Sequence, residues 1–179
     1  MLNRDTTALV VIDVQGKLAQ IMHDRDRLFK SLQQMVKGAQ ALDLPILWLE
    51  QNPQGLGRSI DELLELLDSE TPIEKTSFSC CGSEEFVKAL EATGCKQVLL
   101  TGIETHICVY QTAADLIARG YDVEVVADAV SSRTSDNKAI GLQKIRDYGG
   151  QVTCVETALF EMLKHAKAPE FKAILKAIK

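Results

Sequence analysis

Clustered basic residues, long apolar runs, paired cysteines and glycine-rich phosphate loops are all missing from this 179-residue chain, and each absence excludes a class of protein. Its 20 Lys and Arg are interspersed among 25 Asp and Glu for a formal charge of −5, so no positive face is on offer to nucleic acid or to an anionic membrane. No stretch approaches the roughly 20 apolar residues of a membrane span. The segment Met1-Leu2-Asn3-Arg4-Asp5 leads into an apolar run that ends at Asp13, without the length or cleavage pattern of a secretory signal. Cys80, Cys81, Cys95, Cys108 and Cys154 make an odd count with no C-x-x-C spacing. That pattern predicts free thiols in a reducing cytosol, not a disulfide framework or a zinc site; one incidental disulfide in an exported protein is the competing reading.

Two phosphate-handling folds are excluded in the same way. Asp13-Val14-Gln15-Gly16-Lys17 holds a single glycine where a dinucleotide fingerprint needs three, and Gly55-Leu56-Gly57 lacks the third. A phospho-receiver domain needs a second carboxylate beside Asp13 and an aspartate after the third strand, but Val11-Ile12 and Lys75 occupy those places.

What is present reads as one domain over residues 1–179, with 46% hydrophobic residues and no repeat or linker. Short apolar runs predict strands at 8–12, 45–49, 73–74, 97–101, 122–127 and 151–155. Helical spacing fills 27–43, 59–68, 83–93, 106–119 and 136–148, with more helix after 157. Ser59-Ile60-Asp61-Glu62 has the form of a capping box, and Gly94, Gly120 and Gly149 stand where helices should stop. Near-continuous Val, Ile and Leu in the first and fourth strands indicate burial on both faces. The alternation therefore predicts a three-layer α/β/α, Rossmann-like domain with a mainly parallel six-stranded sheet between helices.

In such sheets ligands bind beyond the carboxyl ends of the strands. Asp13 ends the first strand there, Glu50 and Gln51 follow the second, Lys75 ends the third, and Gly102 to Cys108 follow the fourth. A carboxylate at the end of an apolar strand needs a positive or donor partner, although a turn or capping aspartate would look the same. Lys75 taken alone is an ordinary lysine; beside Asp13 it gains a partner. Cys108 opens a predicted helix, where the macrodipole should lower its pKa, against the alternative of a buried structural cysteine. Cys95 and Cys154 are read as structural, while Cys80 and Cys81 fall in a loop that could border a pocket.

The segments Leu9-Val10-Val11-Ile12-Asp13-Val14-Gln15, Glu74-Lys75-Thr76-Ser77-Phe78-Ser79 and Gly102-Ile103-Glu104-Thr105-His106-Ile107-Cys108-Val109 together resemble the isochorismatase-like, or cysteine hydrolase, superfamily. Ala127-Asp128-Ala129-Val130-Ser131-Ser132-Arg133 is similar to its loop after the fifth strand. The resemblance implies a triad: Asp13 as general base, Lys75 orienting the pair, Cys108 as nucleophile. It also implies a cis peptide between Glu104 and Thr105, and an oxyanion site formed by the backbone N–H groups of Thr105 and Cys108. The implied reaction is hydrolysis of a small amide-like C–N substrate through a thioester. Apart from the resemblance, Gln15, Gln51, Phe78 and His106 are expected to line the pocket.

Nicotinamidases in this superfamily share an Asp and two His as metal ligands after the second strand. Here Trp48-Leu49-Glu50-Gln51-Asn52-Pro53-Gln54-Gly55 carries no histidine, so neither metal nor cofactor is expected. Isochorismatases cleave a vinyl ether by proton donation, and retention of Cys108 favours acyl chemistry over that alternative. A catalytically idle binding or assembly protein on the same fold is the other rival. The resemblance implies a homo-oligomer acting on a small molecule; the apolar spacing of Ala158 to Leu163 and Phe171 to Ile178 suits core or interface alike.

Overall fold

The computed structural model describes residues 1–68 and 71–179. Six parallel strands form one sheet: β1 (Thr7–Ile12), β2 (Ile46–Gln51), β3 (Ile73–Lys75), β4 (Gln97–Ile103), β5 (Asp122–Ser131) and β6 (Gln151–Thr153), in the order β3-β2-β1-β4-β5-β6. Alternate residues of β1 serve opposite faces. Leu9 and Val11 join a core cluster with α1 (Gly16–Gln20), α2 (Arg25–Ala41), α4 (Asp61–Leu64), α8 (Val155–Leu163) and α9 (Phe171–Ile178). Ala8, Val10 and Ile12 join the other, with α5 (Glu84–Thr93), α6 (Tyr110–Ala118) and α7 (Ser135–Asp147). A short helix, α3 (Pro53–Leu56), follows β2. Every residue of β1 is fully buried, and each large apolar side chain so buried contributes about 1.5–3 kcal/mol.

The expected three-layer arrangement is present, with local departures. The helix read over 59–68 shrinks to α4, and Ser59 does not cap it: its hydroxyl accepts from Trp48 Nε1 at 2.8 Å, both side chains being buried. A buried indole N–H needs a partner more than an exposed helix end does. The segment read as a loop after the fifth strand is still strand as far as Ser131. Pairing jumps from Leu100↔Val125 to Gly102↔Val130, so β5 bulges outward against β4 before rejoining it. Inside that bulge Asp128 Oδ1 accepts the Val155 N–H at 3.0 Å, satisfying the first turn of α8. The C-terminal apolar stripe belongs to the core, through Ala158, Leu159, Met162 and Ile174. No described helix is long and apolar enough to cross a membrane.

Candidate functional site

Strand order reverses between β1 and β4, and the polar groups gather where those two strands end. Gly102 makes that edge closable: with φ +108 it lies so near β1 that a Cβ would meet the Ile12 carbonyl oxygen at 2.0 Å. Directly after β1 the chain turns through Asp13, which adopts a left-handed φ of 54, a conformation Asp tolerates better than most residues. The turn delivers a carboxylate that is 2% exposed.

Lys75, from the end of β3, meets it there. Its Nζ lies 2.6 Å from Asp13 Oδ2 and also donates to Gln51 Oε1 at 3.2 Å, to the Ser77 carbonyl at 3.0 Å and to the Phe78 carbonyl at 3.1 Å. The loop after β3 thus folds back over the ammonium group. Asp13 Oδ1 is buried without a hydrogen-bond partner among the described residues. Burial pushes the Asp13 carboxyl above its ordinary value, opposed by the charge and hydrogen bond of Lys75.

Cys108 does not open a regular helix. Thr105–Val109 form a π-helical turn, in which the Val109 N–H reaches the Glu104 carbonyl at 3.2 Å, and α6 starts only at Tyr110. The thiol donates to Gln51 Oε1 at 3.3 Å. Its pKa is pushed up to about 12, by burial first and by Asp13 second, with Lys75 pulling the other way. The expectation of a lowered pKa is therefore corrected: desolvation and a neighbouring carboxylate outweigh the dipole of a single turn. The cis peptide also lies one bond earlier than expected, between Ile103 and Glu104.

The remaining sequence-derived residues divide. Gln51 stands between Lys75 and Cys108. Gln15 is fully buried and its amide is consumed by backbone: Nε2 donates to the Gly57 and Gln51 carbonyls at 2.7 and 3.2 Å, and Oε1 accepts the Gln51 N–H at 2.7 Å. It braces Gln51 and has little left for a ligand. Phe78 is 54% exposed, and what it offers Lys75 is its carbonyl oxygen. His106 Nδ1 pairs with Ser132 Oγ at 3.0 Å. Thr105 is fully buried, its hydroxyl without a partner among the described residues.

Glu104 was missed by sequence reasoning. Its Oε2 takes the Arg133 backbone N–H at 2.9 Å and Nε at 3.2 Å, so the end of β5 is tied to the turn that carries the cysteine. An acid inside the segment that carries Cys108 was the available signal. From the other side Gly141 brings α7 against the same turn: a Cβ there would lie 2.7 Å from the His106 nitrogen.

All five cysteines are free. Cys80 is fully buried, which raises its pKa. Cys95 is buried as expected, whereas Cys154 is only half-buried, at the N-cap of α8, with its thiol on Thr157 Oγ1 at 3.2 Å. Among the described residues no group of three or more His, Cys, Asp or Glu side chains could hold a metal ion.

This geometry coincides with a family match. The model of the isochorismatase domain matches residues 7–157. The chain belongs to the isochorismatase family. Members of the wider superfamily are hydrolases. The chain is 38% identical over 178 residues to the secreted isochorismatase effector Isc1 of Phytophthora sojae, covering 97% of this chain and 85% of that one. A solved structure of the MAR1 ribonuclease of Caenorhabditis elegans superposes with a TM-score of 0.93 at 34% identity, covering 99% of this chain and 91% of that one. The YcaC gene product of Escherichia coli, described as an octameric hydrolase of unknown specificity, shares the fold with a TM-score of 0.93 at 22% identity, covering 98% and 88%.

Proposed function

We propose that this isochorismatase-family protein is a cysteine hydrolase of small amide-like C–N substrates. The observation that carries the reading is the contact of three sequence-distant groups: a buried ion pair, Lys75 with Asp13, next to a thiol on Cys108 whose proton Asp13 can take.

The thiol is neutral at rest, so attack requires proton removal as the bond forms. Cys108 Sγ adds to the carbonyl carbon while its proton passes to Asp13, which Lys75 holds in place. The backbone N–H groups of Thr105 and Cys108 receive the oxyanion, each contributing about 3–4 kcal/mol. Asp13 returns the proton to the leaving amine, giving a thioester; water, deprotonated by Asp13, then releases the acid. A carboxyl whose pKa is raised suits both roles, because its proton affinity lies nearer neutrality. Besides water, every step uses side-chain and backbone groups of this chain, with the whole of residues 1–179 acting as one hydrolase domain in the cytosol. A homo-oligomer is part of the same reading, supported by exposed Ile140 on α7 and exposed Tyr148 at its C-cap.

The test is a panel of small amides and carbamoyl compounds offered to wild type and Cys108→Ala, with mass spectrometry of the wild type to trap the thioester. Hydrolysis lost in the variant is expected; full activity in Cys108→Ala overturns the nucleophile assignment. RNA belongs in the panel because of the name carried by the Caenorhabditis relative. A formal charge of −5 speaks against it as a substrate.

A further inference from the structure

Gln51 is held more firmly than a pocket-lining residue needs to be. The carboxamide of Gln15 grips both its backbone N–H and its carbonyl. The side-chain atom facing Lys75 must be the oxygen, since an ammonium group only donates. That oxygen also receives the Cys108 S–H.

Counting donors on Lys75 shows which of its contacts is expendable. An ammonium group has three protons, but Nζ has four acceptors: Asp13 Oδ2, Ser77 O, Phe78 O and Gln51 Oε1. Gln51 is the most distant of the four, so its oxygen can exchange one partner for another without orphaning the lysine. Meanwhile the thiol has a second acceptor beside it in Asp13, whose Oδ1 is otherwise unpartnered among the described residues.

We propose that Gln51 gates the nucleophile and selects its substrate: in the resting protein its Oε1 competes with Asp13 for the Cys108 S–H, and a substrate N–H takes over that oxygen. The inference rests on Cys108 being the nucleophile. An attacked carbon about 3–3.5 Å from Sγ on the side that faces Gln51 puts its amide nitrogen within hydrogen-bond reach of Oε1, which is itself 3.3 Å from Sγ. The substrate N–H then displaces the S–H, whose proton moves to Asp13 as sulfur attacks. A carboxamide or carbamoyl group can make this exchange. An ester of the same acid has no N–H and leaves the thiol locked.

Acrylamide and methyl acrylate test this without any need for turnover. Both add to a thiol in the same manner: sulfur bonds the β-carbon and the thiol proton finishes on the α-carbon. Labelling of the Cys108 peptide is followed by mass spectrometry in the folded protein, and each rate is divided by that of the reagent with glutathione. Wild type is expected to favour acrylamide by about tenfold or more, the worth of one hydrogen bond in a closed site. Gln51→Met, which removes the acceptor, should bring the ratio near unity, and Gln51→Glu, which keeps an acceptor oxygen, should restore a preference for the amide. An equal ratio in wild type and Gln51→Met overturns the gating role alone. Failure of both reagents to label Cys108 in wild type overturns the nucleophile reading and the gate with it.

Discussion

Lys75 Nζ and Asp13 Oδ2 lie 2.6 Å apart, with the lysine side chain fully enclosed and the aspartate side chain 3% exposed. Burying both charges costs several kcal/mol each, and their attraction offsets this only because the remaining ammonium protons also find acceptors. Removing one partner is therefore worse than removing both. Lys75→Met is expected to lower stability by roughly 3–5 kcal/mol, and adding Asp13→Asn should recover a large part of the loss. Urea denaturation of the two single variants and the double variant measures the coupling; simple additivity would contradict a buried, mutually dependent pair.

The pH dependence follows from the same pair. In the proposed reaction Asp13 must be ionised to take the thiol proton, and burial raises its carboxyl above the ordinary value. The acidic limb of kcat/KM should therefore lie above the ordinary Asp value of about 3.9, and move higher in Lys75→Met, where the opposing charge is gone. No rise marking thiol ionisation is expected near the ordinary value of about 8.5, since the Cys108 thiol is pushed up to about 12. For stability the sign is the reverse of an ordinary salt-bridged aspartate. A raised folded pKa favours the protonated form, so this group's favourable contribution is present below its unfolded value and lost as pH rises through the folded one. A pH–rate profile with a limb near 8.5 would count against this account.

Gly141 is the point at which α7 touches the turn that carries Cys108. A methyl group there must displace His106 or Thr105, whose backbone atoms lie 2.7 Å from the added Cβ. Gly141→Ala should cost about 1–3 kcal/mol of stability through overpacking. It should also lower kcat by roughly tenfold to a hundredfold, because the sulfur is moved out of line. Thermal melting and steady-state kinetics on one preparation separate the two effects. Unchanged kcat would show that the turn does not depend on this contact.

Ser59→Ala leaves the Trp48 indole N–H buried and unpaired, with an expected loss of about 1–3 kcal/mol. The Ser59 backbone N–H, which donates to Glu50 Oε1 at 2.6 Å, remains in place, so Glu50 keeps that contact and kcat should change little. Chemical denaturation and kinetics together check this; a large fall in kcat at full stability would assign the hydroxyl a role in the site.

Near-continuous apolar strands, glycine stops and the alternation of strand with helix were legible along the chain because they are local. They were enough to predict a parallel α/β/α sheet and to place Asp13, Lys75 and the Cys108 segment at strand ends. Strand order was not local, and it is strand order that sets β1 beside β4 and closes the site. The state of the thiol was likewise beyond the sequence: a cysteine at an apparent helix start implies a lowered pKa, until burial and Asp13 surround it and raise it. Glutamines 15 and 51 looked alike as pocket candidates, yet one is spent on backbone and the other stands between lysine and sulfur. By itself the sequence determined which groups the chain carries to one edge of the sheet. Only the tertiary structure decided which of them touch and which are stripped of water, because both depend on packing between segments far apart in the chain.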